Sequence, residues 1–309
     1  MGLNRCRYIF IQARDSYMLS FFSLIRIHHW LKNLLVLFPA FFSGKFFCPQ
    51  ELFLSFIAFF SFSLLASAVY IFNDLYDMKK DQRHPVKCHR PLASGKVSKL
   101  SAILMFLFLI VLSVVLDLAY SSTRSSLVIL LIYLILNLGY SISWKNIPLV
   151  DIVILASGFV LRLFYGGEFM QIPISHWLFL CIMTSAMFLG IGKRRNELRQ
   201  FGEKRKTRLV LHFYKETFLD QHLHNFGVLA LVFYSLWTLT ISTTGIALVW
   251  SVPFCILLFF RYTYIIESSQ SSGDPVNVII KDWPLLTLIG CWGIFLLFAL
   301  YGHFFYEYL

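Results

Sequence analysis

The sequence predicts an all-α integral membrane protein, a bundle of about nine transmembrane helices with its reactive loops gathered on the cytoplasmic side. Three observations predict it. Hydrophobic residues make up 58% of the 309 residues and charged residues only 14%, with a mean hydropathy of +0.70, against roughly 25% charged in a soluble domain. Apolar stretches near the ~20 residues that cross a bilayer recur along the whole chain. The cations, finally, are segregated between alternate connections, as expected if basic loops stay in the cytoplasm.

Residues 1–24 are expected to form an N-terminal cytoplasmic and interfacial segment. Met1–Ser16 is polar and basic, and Tyr17–Ile25 is too short to span, so no cleavable signal is expected. Residues 25–309 are expected to form one membrane domain. Its first span, Trp30–Phe47, carries Pro39, which predicts a kink. The second, Leu52–Leu75, offers Ala66-Ser67-Ala68 as a small-residue surface for a neighbouring helix. Leu100–Leu118 and Ser126–Trp144 follow, then Leu149–Met170 with the small surface Ala156-Ser157-Gly158 and the lone Arg162. Trp177–Gly192 is short. Phe226–Ser242, Ile246–Ile266 and Leu285–Tyr306 complete the bundle. Gly166-Gly167 and Thr244-Gly245 read as turns in short external connections. Of the two longest polar insertions, Lys193–His224 is expected to form a short amphipathic helix, and Glu267–Asp282, with Ser268, Gly273, Asp274 and Pro275, a turn-rich loop.

With an internal N-terminus, one face collects Arg5, Arg7, Arg14, Arg26, Lys32, the cations between Lys79 and Lys99, Lys145, those between Lys193 and Lys215, Arg261 and Lys281; the other holds only Lys45 and Arg124. This bias, with attraction to anionic headgroups, accounts for most of the net charge of +11, so the expected partner is the lipid bilayer and no nucleic acid. The six cysteines show no CxxC pairing, which argues against a disulfide framework. His84, Cys88 and His89 fall short of the four ligands of a structural zinc site.

The chemistry concentrates after the second span. If its helix continues, Asn73, Asp77 and Asp81 follow at i, i+4 and i+8, with Asp74 at i−3 from Asp77. Carboxylates one turn apart repel unless a cation lies between them. Mg²⁺ takes such hard oxygen ligands and shares them with substrate phosphates. The basic residues Lys87 and Arg90 come next, so Asn73–Gly95 reads as a metal-and-phosphate site. Asp151, at the mouth of the fifth span, reads as a second metal or ribose ligand, or as an acid favoured by the helix dipole. Arg162 lies roughly 16 Å deeper, suited to an anionic headgroup or a structural ion pair. Lys193, Arg194 and Arg261 stand at helix ends, where they can clamp phosphates.

The string Asn73-x-x-x-Asp77-x-x-x-Asp81, with the polar loop Tyr140–Asp151, resembles the UbiA superfamily of membrane-embedded prenyltransferases. Within it, His84-Pro85, Lys87, Arg90-Pro91 and Ala93-Ser94-Gly95 look like the decaprenyl-phosphate phosphoribosyltransferase branch. Lys32, Tyr140, Lys145, Asp151, Arg162, Gly192-Lys193-Arg194, and Asp274-Pro275 with Asp282 are similar in the same way. The resemblance implies a helical bundle with a polar cavity facing the cytoplasm at the plasma membrane. It implies Mg²⁺-dependent transfer of 5-phosphoribose from phosphoribosyl pyrophosphate to a polyprenyl phosphate. Asn73, Asp74, Asp77 and Asp81 would hold the metal, Asp151 would orient ribose or metal, and Lys32, Lys87, Arg90, Tyr140, Lys145, Arg162, Lys193, Arg194 and Arg261 would bind substrate. Aromatic prenyltransferases of the superfamily carry a second Asp-rich motif after the fourth span, where this chain has only Asp151. Prenylation of an aromatic acceptor stays the alternative. A secondary transporter is disfavoured, because no internal repeat is evident and the acids cluster at one face.

Overall fold

The computed structural model describes residues 23–83, 86–201, 209–241, 245–267 and 275–307. Most of the expected interfacial segment, His84-Pro85, the middle of the Lys193–His224 insertion, Thr244 and residues 268–274, with Asp274, lie outside them. Every regular element among the described residues is helical. Besides short 3-10 turns at Lys87–His89, Trp144–Asn146, Leu209–Phe213 and Gly245–Ser251, they are, in chain order, a 3-10 helix over Ile27–Leu37 leading into α1 (Phe38–Phe42), then α2 (Pro49–Asp81), α3 (Lys99–Tyr120), α4 (Ser125–Ile142), α5 (Val150–Met170), α6 (His176–Phe201), α7 (Glu216–Thr240), α8 (Val252–Glu267), α9 (Pro275–Lys281) and α10 (Trp283–Glu307). Among the described residues, eight helices are long and apolar enough to cross a membrane.

The segment expected as a first ordinary span is not among these eight. Ile27–Leu37 winds as a 3-10 helix, and Pro39 sits in the first turn of α1, where its missing N–H and fixed φ are tolerated. The 3-10 rise of ~2.0 Å per residue stretches the combined segment to roughly 30 Å, about the thickness of a hydrocarbon core. Gly166 makes room for this segment: a Cβ there would collide with the carbonyl of Val36. Gly166-Gly167 is therefore interior to α5 rather than an external turn. Trp30 Nε1 donates to Ser67 Oγ at 3.0 Å and Asn33 Nδ2 to Ser63 Oγ at 2.9 Å, so the small-residue stripe of α2 seats the first segment.

Local signals set the other ends. Pro49 opens α2 with Glu51 in its first turn and Lys79 and Lys80 in its last, complementing the helix dipole. Ser98 caps α3 by accepting from Ser101 N at 3.1 Å. The sixth span does not stop at Gly192. α6 continues to Phe201, because Arg194 and Arg195 bury their side chains against neighbouring helices while Arg199 stays exposed. A 3-10 turn, Leu209–Phe213, stands within the insertion, and Pro275–Lys281 of the expected loop is helical.

Two cores follow. Val36, Phe62, Leu65, Tyr133, Tyr165 and Phe169 join the first segment to α2, α4 and α5. Ile152, Phe188, Ile191, Leu219, Tyr262 and Ile266 join the start of α5 to α6, α7 and α8. The polar ends of α2, α4, α5 and α6 meet at one end of the bundle.

Candidate active site

With 33 residues, α2 is about 50 Å long, well beyond the ~30 Å hydrocarbon core. Its last two turns therefore carry Asn73 to Asp81 toward water. Seven residues make nearly two full turns, so Asp74 and Asp81 align, and Asp77, one turn from each on the same face, takes a different partner. One guanidinium nitrogen, Arg90 Nη1, donates to Asp74 Oδ1 at 3.0 Å and to Asp81 Oδ2 at 2.7 Å. Arg26 donates to the same oxygen of Asp74. Lys145 Nζ reaches both oxygens of Asp77, at 3.0 and 3.1 Å. Asp74 is 3% exposed, whereas the Asp77 side chain is 21% exposed. Arg90 is held there because Leu92 and Val97 are buried beside Ile71 and Ala102 and pull the return loop onto α2.

Lys145 arrives from the connection between α4 and α5. Gly139 lets the Trp144 ring close over the end of α4, within 2.6 Å of where a Cβ would stand. Tyr76 Oη donates to the Ile142 carbonyl at 3.2 Å, and its ring lies 5.6 Å from Lys145 Nζ. The far end of the loop is pinned at Leu149, whose φ of 67° is unusual for a branched side chain. Leu149 N donates to Tyr214 Oη at 2.7 Å, and Tyr214 Oη donates to Asp151 Oδ1 at 2.6 Å. Burial, reinforced by Asp151, pushes the Tyr214 phenol up, so it remains a donor. Arg194 completes the network: Nε to Asp151 Oδ2 at 2.5 Å, Nη1 to Glu197 Oε2 at 2.6 Å, Nη2 to Tyr140 Oη at 2.9 Å. Asp151 and Arg194 are both 0% exposed. The expected second acid and one expected phosphate clamp thus hold each other.

The other expected residues are placed as follows. Arg162, 5% exposed, meets no carboxylate among the described residues, in contrast to the ion pair considered from sequence. Its Nε donates to Asn33 Oδ1 at 2.7 Å, Nη1 to the Gly158 carbonyl at 2.5 Å and Nη2 to Tyr133 Oη at 3.2 Å. The rings of Phe62, Tyr133 and Phe159 surround its guanidinium. Arg261 makes a two-point bridge to Asp282 at 3.1 and 2.9 Å, and Asp282 also accepts from Leu285 N at 2.8 Å at the start of α10. Lys87 is exposed in the 3-10 turn Lys87–His89, Lys32 is half-buried on the first segment, Lys193 half-buried on α6, and Asn73 half-buried beside Asp74. Sequence reasoning counted Arg26 only as an orientation cation and passed over Tyr214. The left-handed backbone of Arg26, φ 55°, is invisible in sequence, and Tyr214 sits in an insertion whose charges mask it.

Among the described residues, no three His, Cys, Asp or Glu side chains converge as a ready metal cage. Cations occupy the carboxylates instead. The donor set nevertheless suits a hard cation: all oxygen, and so arranged that one positive centre, Arg90 Nη1, serves both Asp74 and Asp81.

The profile of the UbiA prenyltransferase family matches residues 34–281. The decaprenyl-phosphate phosphoribosyltransferase of Corynebacterium glutamicum is 32% identical over 285 residues, covering 90% of this chain and 85% of that one. The enzyme of the same name from Mycolicibacterium smegmatis is 30% identical, covering 87% and 88%. A UbiA homolog from Archaeoglobus fulgidus, solved bound to GPP and Mg²⁺, superimposes with a TM-score of 0.64 at 20% identity over 91% of this chain and 96% of that one. The chain is an integral membrane protein and belongs to the UbiA prenyltransferase family.

Proposed function

We propose that the protein transfers 5-phosphoribose from phosphoribosyl pyrophosphate to a polyprenyl phosphate, releasing pyrophosphate, at the cytoplasmic face of the plasma membrane. One observation carries this reading. Asp151, the only carboxylate of the second polar loop, is committed to Arg194 and Tyr214, which leaves the carboxylates of α2 as the ones facing Arg26, Arg90 and Lys145. A donor with a diphosphate on C1 and a separate 5-phosphate asks for that layout, and the names of the relatives from Corynebacterium and Mycolicibacterium support it. The one-sided distribution of Lys and Arg supports the cytoplasmic placement.

Asn73, Asp74, Asp77 and Asp81 would hold Mg²⁺, the ion present in the Archaeoglobus homolog; when bound it draws off the negative charge that develops on the departing diphosphate. Arg90 and Lys145, released from their carboxylates, bind phosphate oxygens, and Lys32, Lys87 and Lys193 would supply further positive charge to the phosphates. The acceptor is a phosphate monoester with a second pKa of about 6, so its dianion attacks C1 without a general base. The new C1–O bond forms as the bond to pyrophosphate breaks. Asp151, Arg194 and Tyr140 act as positioning residues that fix the loop carrying Lys145, and Arg162 fixes the segment carrying Lys32.

Purified protein in lipid nanodiscs, given radiolabelled phosphoribosyl pyrophosphate, decaprenyl phosphate and Mg²⁺, should yield a labelled lipid on thin-layer chromatography. The Asp77→Ala variant should insert normally and yield none. Absence of that lipid, with turnover of a prenyl diphosphate and an aromatic acid, would overturn the proposal.

A further inference from the structure

Arg26 stands 48 residues from Asp74 in sequence, yet its guanidinium reaches the carboxylate oxygen that also receives Arg90. It lies over the Tyr70 ring at 5.1 Å, and Tyr70 stacks on His29 with ring centroids 5.0 Å apart. Its backbone is left-handed, with φ 55° and ψ 52°. Such a conformation persists in a side-chain-bearing residue only when its surroundings impose it, and it clusters at ligand clamps. The charge balance explains why a cation is held there. Asp74, Asp77 and Asp81 meet Arg26, Arg90 and Lys145, three negative charges against three positive ones. Asp74 and Asp81 are each 3% exposed, and water screens little of their field. A bare divalent ion entering this set would add two uncompensated positive charges beside three cations. A divalent ion arriving with a diphosphate brings its own counter-charge and gives the displaced guanidinium groups oxygens to bind.

We infer that Arg26 is a transferable phosphate ligand: in the ligand-free protein it closes Asp74 to a bare metal ion, and when metal and diphosphate enter together it passes from Asp74 to the diphosphate. The stack of Tyr70 on His29 keeps the guanidinium in reach during the exchange, because its cation–π contact lies on the ring face and leaves the N–H edge free to change partner. This deepens the proposed function, on which it rests for the diphosphate. It requires neither phosphoribose nor a polyprenyl phosphate.

Full-length protein in nanodiscs, stripped of divalent ions, is titrated with Mn²⁺ while the free ion is followed by electron paramagnetic resonance. Labelled pyrophosphate binding is measured separately by equilibrium dialysis at saturating Mn²⁺. Arg26→Gln should bind Mn²⁺ alone about tenfold more tightly than the wild type and pyrophosphate about tenfold more weakly, since the same charge opposes one ligand and attracts the other. Arg26→Lys, which keeps the charge, should stay within about threefold of the wild type on both. Lys79→Gln, exposed on the same helix, should change either by less than about twofold, as a solvent-screened charge. Equal weakening of both ligands in Arg26→Gln would mean that Arg26 merely builds the site, and unchanged affinities would mean that it does nothing there; either overturns the inference. The wild type gives a check that needs no variant. Bare Mn²⁺ should bind about tenfold more weakly than the Mn²⁺–pyrophosphate complex, and bare Mn²⁺ binding as tightly or more tightly overturns the inference whatever the variants do. Both ligands are common to prenyl and phosphoribosyl donors, so this result stands or falls separately from the product assay.

Discussion

Arg194→Met separates a positioning role from substrate contact. The substitution removes three hydrogen bonds, to Asp151, Glu197 and Tyr140, and strands the Asp151 carboxylate in a site that is 0% exposed. Breaking a buried ion pair from one side costs about 3–5 kcal/mol, and the lost hydrogen bond to Tyr140 Oη adds about 1 kcal/mol. Removing the second charge as well, in Asp151→Leu with Arg194→Met, replaces the pair by apolar groups and should return about half of the loss or more, because the desolvation penalty disappears with the charges. Unfolding of each variant in mixed micelles, followed by tryptophan fluorescence, measures these steps, and turnover is read in parallel. A positioning role predicts that activity falls with stability in the single variant and partly recovers in the double one. A direct grip on a substrate phosphate predicts the reverse: a raised KM for phosphoribosyl pyrophosphate, little destabilisation, and no recovery. A loss below about 1 kcal/mol for Arg194→Met, the scale of an exposed pair, would refute the reasoning.

Other residues allow equally direct tests. Gly166→Ala drives a methyl group into the Val36 carbonyl and should destabilise the fold by about 1–3 kcal/mol, read as a lower midpoint in the same unfolding assay. Tyr214→Phe removes the acceptor of Leu149 N and a donor to Asp151; it should cost about 1–3 kcal/mol and, by loosening Lys145, lower kcat more than it raises KM. Arg162→Met removes the donor to Asn33 Oδ1, to the Gly158 carbonyl and to Tyr133 Oη, so it should lose about 2–4 kcal/mol, while Arg162→Lys, which lacks the planar fork, should recover only part of it. Arg261 holds the Asp282 carboxyl below its ordinary value of 3.8, with help from Leu285 N. A folded-state pKa below the unfolded one adds stability that is complete above the unfolded value and is lost as pH falls through the folded one. Thermal unfolding between about pH 5 and pH 3 should therefore decline less steeply in Asp282→Asn than in the wild type.

What was legible in the sequence follows from which physical signals are local. Hydrophobic length is local, so the membrane bundle and most of its helices could be read directly, and the acidic end of α2 stood out because Asp74, Asp77 and Asp81 belong to only 16 acidic residues. The winding of the first segment is not legible because apolar residues run without a break from Leu34 to Phe38 and mark no period, and its close approach to Gly166 involves another helix. α6 was cut short at Gly192 because Lys193-Arg194-Arg195 looks like a loop until the neighbouring Asp151 and Asp220 are in place to receive two of those side chains.

The partners of the acidic cluster are non-local in the same sense. Asp74 is met by Arg26 across 48 residues and Asp77 by Lys145 across 68, and no spacing rule along one helix reaches that far. Asp151 is the instructive case. An acid in the first turn of a helix looks identical in sequence whether it faces a substrate or a buried arginine. The difference lies in Tyr214, which arrives from the insertion after α6 and closes the carboxylate from the other side. With Asp151 closed, Asp74, Asp77 and Asp81 of α2 are the acids that meet Arg26, Arg90 and Lys145, and the loop that Tyr214 steadies is the one that brings Lys145 to Asp77. The second polar loop therefore contributes Lys145 to the candidate site, while its own acid, Asp151, is taken up by Arg194 and Tyr214.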